Sequence, residues 1–294
     1  MEDLHVEGDG IELGVIGCGK MATALLLSIL RSTSHLGTPP KRVIVSVRTS
    51  ESLKRLKSIL AEYGGQVEFL VGDNVRVANA ANTVLLGHKP YMLDSILGAD
   101  GMAEALRGKA IISLLAGVSA KQILEKVHQI GDTTRTSVLL VVPNMGAHVQ
   151  ESMTVIAKQS TDTPIEVVNR TVWLLQHAGK VSFVSESLFN LATVLVGVSM
   201  ALTTVAVDGM LDAAVMEGMP RSEAQEIVSQ SLIGVGKLLA NGHHPAVLRE
   251  SISSPRGCTI RGIAHLESRS ARTAFTESIT LATEYIKGMG GYQE

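Results

Sequence analysis

The sequence predicts an α/β domain built on a parallel sheet, followed by an all-helical domain. Short apolar or β-branched runs, the last of them KVSFVS ending at Ser185, alternate with helical patterns, which is the rhythm of repeated strand–helix–strand units. From Leu188 onward, long helical patterns are interrupted by turn residues, and no convincing strand occurs. We therefore expect a boundary near Ser185, with residues 1–185 forming the sheet domain and residues 186–294 forming the helical domain.

Each element of the first half follows from its own pattern. IELGVIG predicts the first strand, and residues 20–31 predict the first helix because their apolar side chains recur on one stripe. RVIVSV is a second β-branched run, followed by a predicted helix at residues 51–63 that two glycines end. NTVLLG, AIISLL and SVLLVVP are apolar without alternation, as strands buried on both faces of a sheet are. The sequence therefore predicts a doubly wound parallel sheet with helices on both faces.

The composition excludes several classes of protein. Hydrophobic residues make up 45% of the 294 residues and charged residues 18%, which is typical of a folded chain and not of a disordered one. The formal net charge of −2, without a long run of either sign, argues against nucleic acid and for a small-molecule ligand. The two cysteines, Cys18 and Cys258, indicate a reducing, cytoplasmic compartment, with a redox pair between them as an alternative. The acidic N-terminus lacks the apolar core of a secretory signal.

One stretch has the length of a membrane span. Residues 188–207 carry no charge over about the length that a bilayer requires. Polar side chains such as Asn190 and Thr193 dilute this run, and Asp208 follows it at once. A helix buried between subunits explains the pattern better, because polar side chains are tolerated more easily among protein groups than in lipid. We therefore expect no membrane partner.

A glycine-rich turn connects the first predicted strand to the first helix. Its residues fit the G-x-G-x-x-A form of the dinucleotide-binding fingerprint, and they are Gly17, Cys18, Gly19, Lys20, Met21 and Ala22. The glycines permit a tight turn and a close approach of the backbone to a diphosphate, which unpaired N–H groups of the helix start would bind. The sequence thus predicts a Rossmann-type domain, against the alternative of a merely structural glycine turn.

The end of the second strand indicates which dinucleotide is bound. An NAD site would place an acidic residue there to accept the ribose hydroxyls, but the chain has Ser46, Arg48 and Thr49. A guanidinium group can pair with a 2′-phosphate through two hydrogen bonds. NADPH is therefore the expected cofactor, with NADH as an alternative. Arg48 could also be an ordinary solvated surface residue.

Separate stretches of the chain resemble the pyrroline-5-carboxylate reductase family. They are IGCGKMATA, TVLLGHKP, SLLAGVS, VVPNMGAHVQESMT, DGMLDAAVMEGMPR and HPAVLRESISSPRGCTIRGIAHLE. The last is the most specific, since it resembles the family's H-P-x-x-L and S-P-G-G-T-T-I-x-G-x-x-x-L-E signature almost throughout. The resemblance implies further dinucleotide contacts from Asn74, Lys89, Pro90, Ala116, Gly117 and Asn144.

The same resemblance assigns a role to the segment SPRGCTIRG. By itself the segment predicts either an ordinary helix start, with Ser254 as the cap and proline in the first turn, or a cradle for an anion. In the resembling family this loop meets the substrate carboxylate with backbone N–H groups. The resemblance therefore implies that Ser254, Gly257, Cys258 and Thr259 bind the substrate, with the Thr259 hydroxyl acting near the ring nitrogen as the catalytic group.

The activity that the resemblance implies is the NADPH-dependent reduction of the C=N bond of Δ1-pyrroline-5-carboxylate to L-proline. It also implies that the helical domain is a dimerisation domain. The expected assembly is a homodimer, or a larger ring of dimers, with each active site between the sheet domain of one chain and the helices of its partner. No metal is expected, because the histidines lack the spacing with a carboxylate that a zinc site needs.

The chain departs from the family pattern at positions that bear on substrate choice and rate. Arg256 stands where the family has a loop glycine, and it would crowd the substrate, require an unfavourable φ or attract a carboxylate. Proline is lost from the segments that contain Met145 and Met200. Three alternatives therefore remain: the reductase of another cyclic imino acid, an enzyme that oxidises a hydroxy acid, and a catalytically silent NADP-binding dimer.

Overall fold

The computed structural model describes residues 10–31, 39–128, 136–158 and 163–289. The chain divides into two compact units. The first unit consists of two segments, one that ends at Gly197 and one that begins at Thr283. The second unit comprises Val198–Ala282.

An eight-stranded sheet, counted over the described residues, forms the centre of the first unit. Its strands are β1 (Glu12–Ile16), β2 (Arg42–Val47), β3 (Val67–Val71), β4 (Thr83–Leu86), β5 (Ala110–Ser113), β6 (Ser137–Val142), β7 (Ser152–Ala157) and β8 (Gly179–Val184). Their order is β3-β2-β1-β4-β5-β6-β7-β8, and among these strands only β6 and β7 pair antiparallel. The strand order reverses between β1 and β4, which is where ligands bind in open sheets of this type.

The strands are apolar on both faces because helices cover both faces. Val15 and Val43 belong to the core on one side of the sheet, and their chain neighbours Ile16 and Ile44 belong to the core on the other side. The first core is completed by α1 (Lys20–Leu30), α2 (Ser50–Ile59) and α7 (Ile165–Gln176). The second is completed by α3 (Asn74–Ala80), α4 (Leu93–Leu97), α5 (Met102–Leu106) and α6 (Ala120–Val127).

The second unit is helical throughout the residues that the structure describes. α9 (Arg221–Ala240), α10 (Pro245–Ser251) and α11 (Cys258–Ser268) lie wholly within it, while α8 (Glu186–Met216) begins and α12 (Ala271–Met289) ends in the first unit. Among the described helices, α8 is the one that is long and apolar enough to span a membrane, by length and composition. Apolar side chains on it, such as Val205 and Met216, are exposed in the single chain. An apolar surface of this kind marks a contact with another molecule.

The predicted architecture, an α/β sheet part followed by a helical part, is confirmed. Strands β3 and β7 are absent from the sequence prediction, and β3 is hard to recognise because it is a half-exposed edge strand with a glutamate inside it. The expectation of a parallel sheet needs one correction at β7. Residues 143–151 between β6 and β7 are too few for a crossover helix, so the chain returns antiparallel.

Candidate functional site

The carboxyl ends of strands β1 to β6 meet at one edge of the sheet, as parallel pairing requires. The residues predicted to contact a dinucleotide lie at or just beyond these strand ends. They are Gly17, Cys18, Gly19, Lys20 and Met21 after β1, Ser46, Arg48 and Thr49 at the end of β2, Asn74 after β3, Lys89 and Pro90 after β4, Ala116 and Gly117 after β5, and Asn144 after β6. The fold brings all of them to one edge, although not every side chain faces outward.

Close backbone packing holds the turn after β1. Gly17 has φ +81°, and a Cβ there would lie 2.8 Å from backbone atoms of His88, which follows β4. A Cβ at Gly87 would meet the Gly17 carbonyl and the side chain of Ala22 on α1. Glycine at both positions therefore lets the two strand ends and the first helix come into contact. The Gly17 N–H donates to the Ser46 carbonyl at 2.9 Å, which ties the turn to β2.

The start of α1 is open to an anion. Gly19 is the N-cap, none of the described side chains caps the helix, and its first turn holds no acidic residue. Gly19 and Lys20 are exposed. The N–H groups of the first turn thus present partial positive charge without a side-chain acceptor, which suits a phosphate group. The residues present fit the diphosphate of a dinucleotide.

Cys18 belongs to the glycine turn, and its side chain is part of the hydrophobic core. Its side chain is 4% exposed, and burial raises the pKa of the thiol to about 11. The thiol therefore stays protonated at neutral pH and is a poor nucleophile. Any contact of Cys18 with a ligand must come from its backbone. Both cysteines, Cys18 and Cys258, lie in the described ranges and are free.

The three residues predicted at the end of β2 differ in what they offer a ligand. Arg48 is exposed and makes no hydrogen bond or ion pair with any described residue. Thr49 Oγ1 accepts a hydrogen bond from the Ser52 N–H at 3.1 Å and so caps α2. Ser46 is fully buried within β2. The Ser46 carbonyl supports the turn by accepting from the Gly17 N–H, and the expected contact of Ser46 with the dinucleotide stays a prediction.

Further predicted residues are accessible at the ends of β3, β4 and β5. Asn74 is half-buried at the first position of α3. Lys89 is exposed next to Pro90, which begins a short 3-10 turn. Ala116 is exposed, and Gly117 follows it with φ +72°. Their positions are compatible with contacts to one extended ligand along this edge.

Asn144, which follows β6, is committed to the protein itself. It is 9% exposed, its Oδ1 accepts from the Gly146 N–H at 3.0 Å, and its Nδ2 donates to the Val196 carbonyl at 3.3 Å. Both ends of the amide therefore have internal partners. These bonds tie the end of β6 to the first part of α8. The amide keeps a second hydrogen and a second lone pair, so the expected cofactor contact of Asn144 stays a prediction.

The predicted substrate residues Ser254 and Gly257 lie in one turn before α11, and Cys258 and Thr259 are the first two residues of that helix. The Gly257 N–H donates to the Ser254 carbonyl at 3.0 Å, with Pro255 at the second position and Arg256 at the third. Arg256 has φ +63°. A proline at the second position and a positive φ at the third are the pattern of a type II turn, which favours glycine at the third position. The expectation that Arg256 requires an unfavourable φ is confirmed.

The start of α11 is also open. Gly257 is the N-cap, and no side chain of the described residues caps the helix. Cys258 is exposed, Thr259 is half-buried, and the Thr259 hydroxyl makes no hydrogen bond with any described residue. The free N–H groups can bind a carboxylate, and the free hydroxyl beside them can reach the ring nitrogen of the same ligand.

Two residues that the sequence does not single out hold the glycine turn. Arg55 on α2 donates through Nη2 to the Cys18 carbonyl at 2.9 Å, and Thr23 Oγ1 donates to the same carbonyl at 3.3 Å. No sequence motif marks Arg55, because only the folded chain brings this part of α2 to the turn.

Two histidines of the first unit have hydrogen-bond partners within the protein. His88 Nδ1 donates to the Lys89 carbonyl at 2.9 Å, and His177 Nδ1 donates to the Trp173 carbonyl at 2.8 Å. Burial lowers the pKa of both rings. In the described part of the chain, no group of three or more His, Cys, Asp and Glu side chains could hold a metal ion.

Two family models match separate parts of the chain. The model described as pyrroline-5-carboxylate reductase dimerisation matches residues 186–289, and the model described as NADP oxidoreductase, coenzyme F420-dependent, matches residues 12–117. The first match contains α8 with its exposed apolar side chains and indicates a homo-oligomer. The second contains the glycine turn and the ends of β1 to β5.

Proteins of known name match the chain over nearly its whole length. The pyrroline-5-carboxylate reductase of Lophium arboricola is 34% identical, and the match covers 97% of this chain and 96% of that one. The protein of the same name from Schizosaccharomyces pombe is 31% identical, with 94% and 98% covered.

Solved structures have the same fold. Plasmodium falciparum pyrroline carboxylate reductase, solved with NADP bound, superposes with a TM-score of 0.80 at 21% identity, covering 96% of this chain and 99% of that one. The 1-pyrroline-5-carboxylate reductase of Streptococcus pyogenes superposes with a TM-score of 0.78 at 25% identity, covering 95% and 98%. The likeness to the first of these shows the fold alone.

Proposed function

Because the chain belongs to the pyrroline-5-carboxylate reductase family, we propose that it reduces the C=N bond of Δ1-pyrroline-5-carboxylate with NADPH and releases L-proline. The structural observation that carries this proposal is that the starts of α1 and α11 both lack a side-chain cap among the described residues. Two such starts match the two anions of the reaction, the dinucleotide diphosphate and the carboxylate of the imino acid.

The sheet edge of the first unit is proposed to hold NADPH, with NADH as the weaker alternative. When bound, the nicotinamide supplies the hydride. The N–H groups of Gly19, Lys20 and Met21 bind the diphosphate, and the exposed guanidinium of Arg48 pairs with the 2′-phosphate. The other proposed contacts come from Gly17, the backbone of Cys18, Ser46, Thr49, Asn74, Lys89, Pro90, Ala116, Gly117 and Asn144.

The turn at the start of α11 is proposed to hold the substrate carboxylate. Ser254 and the N–H groups of Gly257, Cys258 and Thr259 bind its oxygens, and the free Thr259 hydroxyl orients a proton at the ring nitrogen. A protonated imine is already a good electrophile, so positioning and one hydroxyl suffice and no strong acid–base pair is needed. Arg256, exposed in the same turn, adds positive charge for the carboxylate.

The boundary between the two functional parts of the chain is proposed to lie between residues 185 and 186. Residues 1–185 bind the dinucleotide, and residues 186–294 bind the substrate and a second protomer. The start of α8 at Glu186 and the dimerisation model that begins at the same residue support this division. The proposed assembly is a homodimer, with a ring of dimers as the larger form, and the two free cysteines support a cytoplasmic location.

A substrate panel tests the function. NADPH absorbance is followed after addition of Δ1-pyrroline-5-carboxylate or its six-membered homologue, and hydroxy acids are tried with NADP⁺. We expect rapid oxidation of NADPH with the five-membered imine. A clear preference for the six-membered ring would show that the protein reduces another cyclic imino acid. Arg256→Gly would then be the first variant to test for a change in this preference. NADPH binding by calorimetry without any turnover would contradict the proposal and favour a silent NADP-binding dimer.

A further inference from the structure

We propose that Arg55 is a positioning residue of the dinucleotide site, which holds the Cys18–Gly19 peptide so that the Gly19 N–H faces the bound diphosphate. The inference rests on the proposed function for the presence of a dinucleotide. It deepens that function, because neither the glycine fingerprint nor the residues at the end of β2 predict a role for a side chain on the second turn of α2.

The argument starts from the Cys18 carbonyl, which has two donors. Arg55 Nη2 lies 2.9 Å from this oxygen, and Thr23 Oγ1 lies 3.3 Å from it. The described backbone contains no cis peptide bond. In a planar trans peptide, C=O and N–H point in opposite directions. Because the Cys18 carbonyl points toward its donors on α1 and α2, the Gly19 N–H points away from them. Gly19 is exposed, so this N–H lies on the open side of the turn.

The direction of the Arg55 side chain is not explained by its own helix. Glu51 lies four residues earlier on α2, at the spacing that ordinarily gives an ion pair on a helix surface. Among the described residues, Arg55 forms no ion pair with a carboxylate, and its side chain donates to the Cys18 carbonyl. Its charge also reaches the turn: burial raises the pKa of the Cys18 thiol, and the nearby Arg55 charge partly opposes that rise. Arg55 is therefore turned toward the glycine turn although it is exposed.

Three variants separate positioning from charge. Arg55→Gln removes the charge and shortens the side chain, while Arg55→Lys keeps a charged donor. Lys54→Gln is the matched control, because it removes a positive charge from the neighbouring exposed residue of the same helix. Calorimetric titration gives the Kd for NADP⁺ and NAD⁺, and competition gives the Kd for 2′-AMP, which lacks the diphosphate. Circular dichroism checks that each variant is folded.

We expect Arg55→Gln to weaken NADP⁺ and NAD⁺ by the same factor, about tenfold, the loss typical of one hydrogen bond from a charged donor. Arg55→Lys should recover part of the affinity, while Lys54→Gln and the binding of 2′-AMP should be unaffected. A loss confined to NADP⁺ and 2′-AMP would mean that Arg55 contacts the 2′-phosphate and would overturn the inference. So would an equal loss in Lys54→Gln, or no loss in Arg55→Gln. If the unmodified protein binds neither dinucleotide, the proposed function itself fails; if it binds both and Arg55→Gln is unaffected, only this inference fails.

Discussion

Replacing Gly17 by alanine tests whether the glycine turn depends on the close approach of two strand ends. Gly17 has φ +81°, and an added Cβ would lie 2.8 Å from the N, Cα and Cβ atoms of His88. These atoms belong to the backbone or are bonded directly to it, so no side-chain rotation relieves the contact. Either the turn or the end of β4 must move.

Two costs add in this variant. The positive φ costs alanine about 1 kcal/mol relative to glycine. Ordinary van der Waals contact begins at 3.4 Å, so the backbone must move by about 0.6 Å, and overpacking of this kind costs about 1–3 kcal/mol. We expect the free energy of unfolding of the first unit to fall by about 2–4 kcal/mol, or its Tm by roughly 5–15 °C.

Scanning calorimetry measures the Tm, and titration calorimetry measures the Kd for NADP⁺. Gly101→Ala is the matched control, because Gly101 has φ +78° while its added Cβ would meet Val75 Cγ1 at an ordinary 3.7 Å. The control should show only the conformational cost and keep its affinity. Gly17→Ala should bind NADP⁺ about tenfold more weakly or worse, because the displaced turn loses hydrogen bonds to the diphosphate. Equal losses of Tm in both variants, with unchanged Kd values, would refute this reasoning.

Three further predictions concern the substrate turn, cofactor choice and pH. Thr259→Ala should lower kcat for the imine by about ten- to a hundredfold while the Kd for NADPH stays the same, and an unchanged kcat would remove this hydroxyl from the reaction. Arg48→Ala should raise the Kd for NADPH about tenfold and that for NADH little, whereas equal losses would show that Arg48 does not read the 2′-phosphate. Burial lowers the pKa of His177 in the folded protein. As the pH falls below about 6.5, the unfolded chain therefore binds a proton at this residue before the folded protein does. The stability that is present above that pH is lost below it. His177→Gln, which does not titrate, should flatten the fall of Tm with decreasing pH, and a Tm profile identical to that of the unmodified protein would contradict this assignment.

The elements that the sequence predicts are those whose signals are local. The first helix is expected at residues 20–31 and found at Lys20–Leu30, since its glycine turn and apolar stripe mark both its start and its length. The predicted helix at residues 51–63 ends at Ile59 and continues as a 3-10 turn, Ala61–Tyr63, because helix ends are weakly encoded. Strand β7 escapes prediction because its pairing with β6 and β8 is a property of the folded sheet.

Side-chain direction at the candidate site is beyond the reach of sequence patterns. Ser46 and Arg48 are two residues apart, yet the first is fully buried within β2 and the second lies exposed just after it. The exact end of the strand decides this difference, and the sequence does not mark it. The resemblance implies a cofactor contact for Asn144, and no pattern in the sequence marks its hydrogen bond to the carbonyl of Val196, far along the chain. Arg55 is found only because the fold places the Cys18 carbonyl within its reach.

Both proposed anion sites are built from backbone N–H groups. A substitution of a side chain in the substrate turn therefore leaves the hydrogen-bond donors for the carboxylate in place. Cys258 stands where the family has threonine, but the N–H at the first position of α11 is present with either side chain. Arg256 accepts an unfavourable φ of +63° without altering the hydrogen bond from the Gly257 N–H to the Ser254 carbonyl that closes the turn. These substitutions leave the proposed donors for a carboxylate in place and change the charge and the volume beside them. We therefore expect carboxylate binding to be retained, and any change of specificity to concern the part of the substrate that lies beside the carboxylate.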